Sequence, residues 1–375
     1  MSDITLAISD LGRGGAQRVL TNLSIIWSCS GKNVCVITLD RGDRDFFRLD
    51  PSVQRIAVGG MSESHNPISA AWSNLKRVHA LRCAIRSAGS STVVGFIGST
   101  NILVILACIG LNKRVVISER NDPKRQSIGK MWDVLRWALY RFADVVTANS
   151  QGAVKSLAAH VPKGKLAYVP NILIVPPDDN SVQFSHPTIL AVGSLHPQKA
   201  FDILLESFAR LAPEAPDWQL VVVGDGPGKD RLHEQSRQLG IADRVVWQGQ
   251  VENPFPFYRA ADIFALPSRY EGTPNAMLEA MACGLPVVIS DASSGPLEWV
   301  EADVSGMVVP VENVEQLADA LLSLIRDPDL RERLGRAGQK RVSECDPVNA
   351  IPVWEQVVGF SHALGPTQGS RNGDL

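Results

Sequence analysis

The 375-residue chain lacks the signals that mark several common protein classes. Its 37 basic and 39 acidic residues nearly cancel to a formal net charge of -2. No global field draws such a chain to nucleic acid or to an anionic membrane, so any contact of that kind must be local. The six cysteines (Cys29, Cys35, Cys83, Cys108, Cys283, Cys345) are scattered, mostly in apolar surroundings, with no C-x-x-C pair. That argues for reduced thiols in a cytoplasmic protein. The histidines form no cluster with zinc spacing, and no G-x-S-x-G elbow or Cys/His pairing marks a hydrolase. The longest apolar run, Ile102 to Leu111, is short of the about 20 residues a membrane-spanning helix needs. The opening stretch from Met1 to Asp10 carries acids where a signal peptide needs a basic flank, and it reads as a first strand.

What is present is alternation. Short β-rich apolar runs alternate with amphipathic stretches, the pattern of βαβ units on a parallel sheet. Strands are expected at Ile4 to Ser9, Val34 to Leu39, Val53 to Val58, Val93 to Ile97, Val115 to Ser118, Val145 to Ala148 and Leu166 to Val169. After Asn171 the pattern lapses into a proline-rich polar stretch that reads as a linker. It restarts with strands at Ile189 to Val192, Leu220 to Val223, Val245 to Gln248, Ile263 to Leu266, Val287 to Ile289 and Met307 to Val309, then three helical stretches. The chain also exceeds the size at which single cores stop growing. The fold class expected is α/β, with two Rossmann-like doubly wound parallel-sheet domains facing a central cleft. The divisions are 1–175, a linker at 176–187, 188–345, a C-terminal helix at 346–364 (centred on Val353 to His362) returning to the first domain, and a disordered polar tail at 365–375. Ligands of open α/β sheets bind at the carboxyl edges of the strands, which places the active site between the halves.

The most informative segment runs from Pro267 to Pro286, Pro-Ser-Arg-Tyr-Glu-Gly-Thr-Pro-Asn-Ala-Met-Leu-Glu-Ala-Met-Ala-Cys-Gly-Leu-Pro. Glu271 ends a loop, and a helix starting near Asn275 carries Glu279. The amides near Asn275, Ala276 and Met277 lack intrahelical partners at the positive end of the helix dipole, where a diphosphate is a natural ligand. A second site spans Val192 to Asp202, with Gly193, Ser194 and Lys199 between a strand end and a helix start. The dipole mildly disfavours a cation there, so a phosphate explains Lys199 better than folding does, and its removal is expected to leave stability nearly unchanged. A third is the Gly-rich turn with Gly12, Gly14 and Gly15, which serves equally as a tight turn or as a cleft-facing helix start. The Gly224-Asp225-Gly226-Pro227 turn is a poor dinucleotide fingerprint and reads as structural or as a structural turn that also touches the donor, and the D-x-D of Asp43, Arg44 and Asp45 as solvated.

These segments resemble the retaining glycosyltransferases of family 4, over nearly the whole chain. The spacing of Glu271 and Glu279, the Gly-Leu-Pro-Val-Val that follows, and Ser294-Gly295-Pro296 carry the resemblance. It implies the GT-B architecture and a hexosyltransferase that binds a nucleotide-diphosphate sugar, UDP-linked, in its second half and the acceptor in its first. It further implies that Glu271 orients donor hydroxyls, that Glu279 binds the ribose, and that Lys199 clamps the diphosphate, with Gly14 and Gly15 near the phosphates. Ser194 stands where the family has an arginine, and the stretch from Ile117 to Pro123 lacks the family's histidine, which Glu119, Arg120, Asn121 or none of them replaces; these three are also candidate acceptor residues. No metal or other cofactor is expected.

The narrower resemblance is to bacterial transferases that extend polysaccharide repeats or undecaprenyl-diphosphate-linked oligosaccharides, particularly N-acetylhexosamine transferases. The basic, tryptophan-bearing stretch from Pro123 to Arg141 reads as a packed helix with a charged face or as an acceptor and lipid-phosphate site made by Lys124, Arg125, Lys130 and Arg136. The partners expected are then a nucleotide sugar, a glycan or polyprenyl-diphosphate acceptor, and the inner face of the membrane, with no nucleic acid. A sugar-nucleotide epimerase of the same architecture and an inactive nucleotide-sugar binder are the rivals.

Overall fold

The computed structural model describes residues 2–42, 45–59, 67–124, 127–177 and 182–360. The tail at 365–375, the end of the expected last helix, and Asp43, Arg44 and Arg125 lie outside the described residues.

The first half runs β1 (Ile4–Ile8), α1 (Gly15–Cys29), β2 (Val34–Thr38), β3 (Gln54–Ala57), α2 (Pro67–Ala88), β4 (Thr92–Phe96), α3 (Gly98–Cys108), β5 (Arg114–Glu119), α4 (Lys130–Leu139), β6 (Val145–Ala148), α5 (Gln151–Leu157) and β7 (Leu166–Tyr168). The second runs β8 (Thr188–Val192), α6 (Phe201–Leu211), β9 (Gln219–Val223), α7 (Lys229–Gln238), β10 (Val245–Gly249), α8 (Phe255–Ala260), β11 (Ile263–Leu266), α9 (Asn275–Ala282), β12 (Val287–Ser290), α10 (Ser294–Leu297), β13 (Met307–Val309), α11 (Val314–Arg326), α12 (Pro328–Arg341) and α13 (Pro347–Val358). The strands fall within one residue of their expected ends.

The sheets are ordered β3-β2-β1-β4-β5-β6-β7 and β10-β9-β8-β11-β12-β13. Every pairing is parallel. Helices cover both faces, which is why the inner strands β1, β4 and β9 are largely apolar and buried throughout. The edge strand β3 of the first sheet is only partly covered, and β10, at an edge of the second, alternates. Strand order reverses beside β1 in one sheet and beside β8 in the other, and at such a reversal the two neighbouring crossovers diverge to leave a crevice at the carboxyl edge.

The last helix packs against the first domain. Trp354 stacks on Phe96 with ring centres 5.9 Å apart, and its indole N–H donates to the Pro170 carbonyl at 3.2 Å. Arg114 and Thr92 donate to the carbonyls of Val357 and Val358. The helix starts at Pro347, inside the expected 346–364, runs through Pro352, and ends on Gly359 at φ 83°. The Pro352 ring deprives only the carbonyl of Val348, a first-turn residue exposed enough for water to reach.

Candidate active site

Between the two carboxyl edges lies a cavity of about 970 Å³, lined from both domains. On the second-domain wall the β8–α6 connection carries Gly193, Ser194 and Lys199. Lys199 ends a short 3-10 turn, after which Ala200 takes a left-handed φ of 52° before α6. Its ammonium donates to Glu271 Oε1 at 2.6 Å, and the Ser268 hydroxyl donates to the same oxygen at 2.7 Å. The side chains are 17% and 7% exposed. Lys199 is therefore not a solvated lysine that the fold can spare, because it neutralises a carboxylate that water barely reaches.

A glycine is required at 224. A Cβ there would fall 1.9 Å from the Gly193 carbonyl oxygen, and φ is 147°. The Gly224–Pro227 turn thus packs backbone on backbone against the lysine-bearing connection, while Gly224, Asp225 and Gly226 also line the cavity.

Helix α9 presents Asn275 and Ala276 to the cavity, and first-turn amides have no intrahelical acceptor. Met277 departs from expectation. Its amide donates to the Pro274 carbonyl at 3.2 Å and its side chain is fully buried, so it faces the core. Glu279, one turn further, is 2% exposed; it accepts from the Tyr258 hydroxyl at 2.9 Å and from Arg18 Nη1 at 2.6 Å. Burial pushes its carboxyl above the usual range, and Arg18 is the chief opposing influence.

The first-domain wall is made by the carboxyl ends of β1, β2, β4 and β5. Gly14 and Gly15 lie on it with Arg13, Arg18, Phe46, Phe47 and Ile97. Ile97 holds φ 70°, an outlier for a β-branched residue. Polar contacts cross the cleft. Asn275 Nδ2 donates to the Gly15 carbonyl at 3.1 Å, Asn171 Nδ2 donates to Asn275 Oδ1, and the Thr273 hydroxyl donates to the Asn149 carbonyl at 3.0 Å. At the far end Glu298 accepts the Gln151 and Gly152 amides that open α5, at 2.7 and 2.8 Å.

The acceptor residues suggested by sequence separate. Arg120 and Asn121 line the cavity. Arg120 is 6% exposed and donates to Asn171, its Nη1 finds no partner among the described residues, and burial pushes its guanidinium down to about 10. Glu119 turns the other way, under the sheet edge, where it accepts from Tyr140 at 2.8 Å. Arg136 is 1% exposed and pairs with Asp133 at 3.0 Å, so it belongs to the core side of α4 and cannot dock a lipid headgroup. Lys124 and Lys130 stand on the exposed surface outside the cavity. Of the D-x-D, Asp45 pairs with Arg55 rather than with solvent. Among the described residues no group of three or more His, Cys, Asp or Glu is placed to hold a metal ion.

Sequence reasoning passed over Arg18. A cation in the first turn of α1 is as poorly placed against the dipole as Lys199, and that signal pointed to an anionic partner. Arg13, Phe46 and Phe47 carried no readable signal, since they enter the cavity only through the packing of two turns.

Glu119 provides a test of the electrostatics. Burial raises its carboxyl above the usual range, against the opposing effects of Arg136 and Tyr140. A carboxyl raised in the folded state contributes stability below its unfolded value that is lost as pH rises through the folded value. Glu119→Gln keeps an acceptor for Tyr140 and titrates no proton. Denaturant midpoints should therefore shift progressively in favour of the variant as pH rises above the ordinary carboxylate range; a difference that stays constant with pH would contradict the assignment.

Residues 178–341 match the family model described as "Glycosyl transferases group 1". An uncharacterized glycosyltransferase of Haemophilus influenzae is 25% identical over 359 residues, 96% of this chain and 100% of the relative. A Campylobacter jejuni N-acetylgalactosamine-N,N'-diacetylbacillosaminyl-diphospho-undecaprenol 4-alpha-N-acetylgalactosaminyltransferase is 26% identical, covering 93% of this chain and 97% of its own. Among solved structures, sucrose-phosphate synthase from Thermosynechococcus elongatus superposes with a TM-score of 0.80 at 21% identity, over 96% of this chain and 100% of that one. Anabaena HepE in complex with UDP and glucose superposes at 0.75 and 18% identity, over 96% and 99%. The family-model match over the second half, relatives named as glycosyltransferases along nearly the whole chain, and two facing parallel-sheet domains together support a glycosyltransferase of family 4 type with GT-B architecture.

Proposed function

We propose that the enzyme moves a hexose or N-acetylhexosamine, with retention, from a UDP-linked donor to a lipid-linked oligosaccharide or polysaccharide acceptor. The observation that carries this reading is the Lys199–Glu271 pair, 2.6 Å apart in the cavity wall beside the start of α9. An arriving diphosphate competes with Glu271 for Lys199, which frees the carboxylate to accept hydroxyls of the donor sugar. The bond from anomeric carbon to phosphate oxygen then breaks, the acceptor hydroxyl forms its bond on the same face, and its proton leaves with the diphosphate. Negative charge growing on the leaving group is met by Lys199 and by the Asn275 and Ala276 amides. The UDP in the HepE complex supports the choice of nucleotide, and the Campylobacter relative the choice of acceptor. Because this cation and these dipoles can carry the leaving charge, a metal is not required.

A thermal-shift panel of nucleotide sugars followed by product analysis tests this. A UDP-sugar should stabilise the protein most, and transfer should persist in EDTA. Preference for a guanosine donor, loss of turnover restored by manganese, or release of an altered nucleotide sugar without acceptor would each refute a part. Lys199→Ala should cost about 3 kcal/mol of transition-state stabilisation, roughly a hundredfold in rate, chiefly in the rate constant. It should also lower stability by on the order of 1–3 kcal/mol, since Glu271 is left buried with a hydroxyl as partner. Turnover within a factor of about three of wild type would place the clamp elsewhere.

The lipid end of such an acceptor fits the outer face of α4 and the turn that follows it. Met131, Val134 and Phe142 are exposed there, as are Lys130 and Arg141, the mixture that anionic bilayer surfaces favour. Lys130→Glu combined with Val134→Asp should reduce sedimentation with phosphatidylglycerol vesicles and leave neutral vesicles unaffected. Equal binding by variant and wild type would remove this surface from the account.

A further inference from the structure

We propose that Phe46 and Phe47, with Arg13, form a subsite for the sugar rings of the acceptor. The two rings line the interdomain cavity and meet edge to face, 5.0 Å between centres at 82°. Both are half-buried, and neither joins the apolar clusters that form the cores of the two domains. Two large apolar rings left partly exposed on a cavity wall, outside both cores, remain available to a ligand with an apolar face.

The rings are also held in place. The Phe46 and Phe47 amides both donate to the Leu11 carbonyl at 3.0 Å, which ties the connection after β2 to the Gly-rich turn after β1. The Arg13 guanidinium lies 5.4 Å over Phe46, and that of Arg18 5.9 Å over Phe47. A pinned aromatic corner, one ring standing edge-on to the other with guanidinium donors beside it, offers a pyranose both a ring face and hydrogen-bond donors. The sugar ring presents C–H bonds on one face and hydroxyls around its edge.

The saccharide is the acceptor's rather than the donor's because the walls divide the chemistry. Lys199, Glu271 and the start of α9 stand on the second-domain wall, whereas the rings stand on the first, beside the turn that Asn275 reaches across the cleft to meet. The inference rests on the transferase reading, and it deepens it by giving the acceptor a place.

The test uses two measurements on the full chain. With an undecaprenyl-diphosphate-linked N-acetylhexosamine oligosaccharide as acceptor, Phe46→Ala, which leaves the Arg18 contact of Phe47 in place, should raise the acceptor KM about tenfold while shifting donor KM and kcat by less than about twofold. Phe46→Tyr should restore the acceptor KM, because it restores the ring. Saturation-transfer NMR with a soluble N-acetylhexosamine oligosaccharide reads the subsite without turnover, with signal expected on the sugar C–H protons of wild type and lost in Phe46→Ala. Melting temperatures should stay close to wild type, since the rings lie outside the cores. An unchanged acceptor KM, a rise in donor KM instead, or equal NMR signal from wild type and variant would overturn the subsite. Failure of wild type to turn over any donor sinks the transferase reading, and the NMR arm still judges the subsite in that case.

Discussion

Glu279 imposes the constraint on which the cleft depends. A carboxylate 2% exposed cannot remain ionised without a compensating cation, and the cation comes from α1 of the opposite domain. Arg18 reaches it between Phe47 and Phe255, with its guanidinium 5.9 and 5.8 Å from the two ring centres. The two halves are thus electrostatically incomplete apart. Widening the cleft would leave Glu279 with Tyr258 alone, and its carboxyl would then hold a proton more readily. A ligand that offers hydroxyls to Glu279 competes directly with the contact that draws the walls together.

The same economy of charge appears at Lys199. On a bare helix start the lysine would oppose the dipole, and buried alone Glu271 would carry an uncompensated charge. Paired, each resolves the other's cost, and the pair can open only toward something that replaces both partners. An anion carrying hydroxyl groups does that. The serines around Glu271 fix where the pair sits: Ser268 holds its carboxylate, and Ser293 both accepts from its amide and donates to its carbonyl.

Close backbone approach is what allows these turns to share one cavity. Gly224 lies against Gly193, and at Gly15 a side chain would press on Asn275 from the other domain at 3.1 Å. Such packing brings turns from distant strand ends near enough for one small ligand to touch them all. It also explains why the Gly-rich turn of the first domain could be read equally well as structure or as function. It is a tight turn, and its tightness lets the second domain's helix start approach.

Much of the fold was legible because strand and helix periodicity are local properties. The two parallel sheets follow from apolar runs such as Val34 to Ile37 and Leu220 to Val223 without knowledge of their partners. Lys199, Glu271, Asn275 and Glu279 were legible for a related reason, since their helix-start and loop-end positions are set within a few residues of chain. The rest depended on which surfaces meet. Whether Arg136 faces solvent or core, whether Glu119 points into the cleft or beneath it, and whether Met277 offers its amide are decided by the packing of α4 and α9 on their sheets. Local chain chemistry thus settles the elements, their order and the charged groups at the strand ends. Packing between the domains alone settles that Arg18 and Glu279, 261 residues apart, share one ion pair, and that Phe46 and Phe47 reach the cavity, because such contacts arise from shape and burial that no local period encodes.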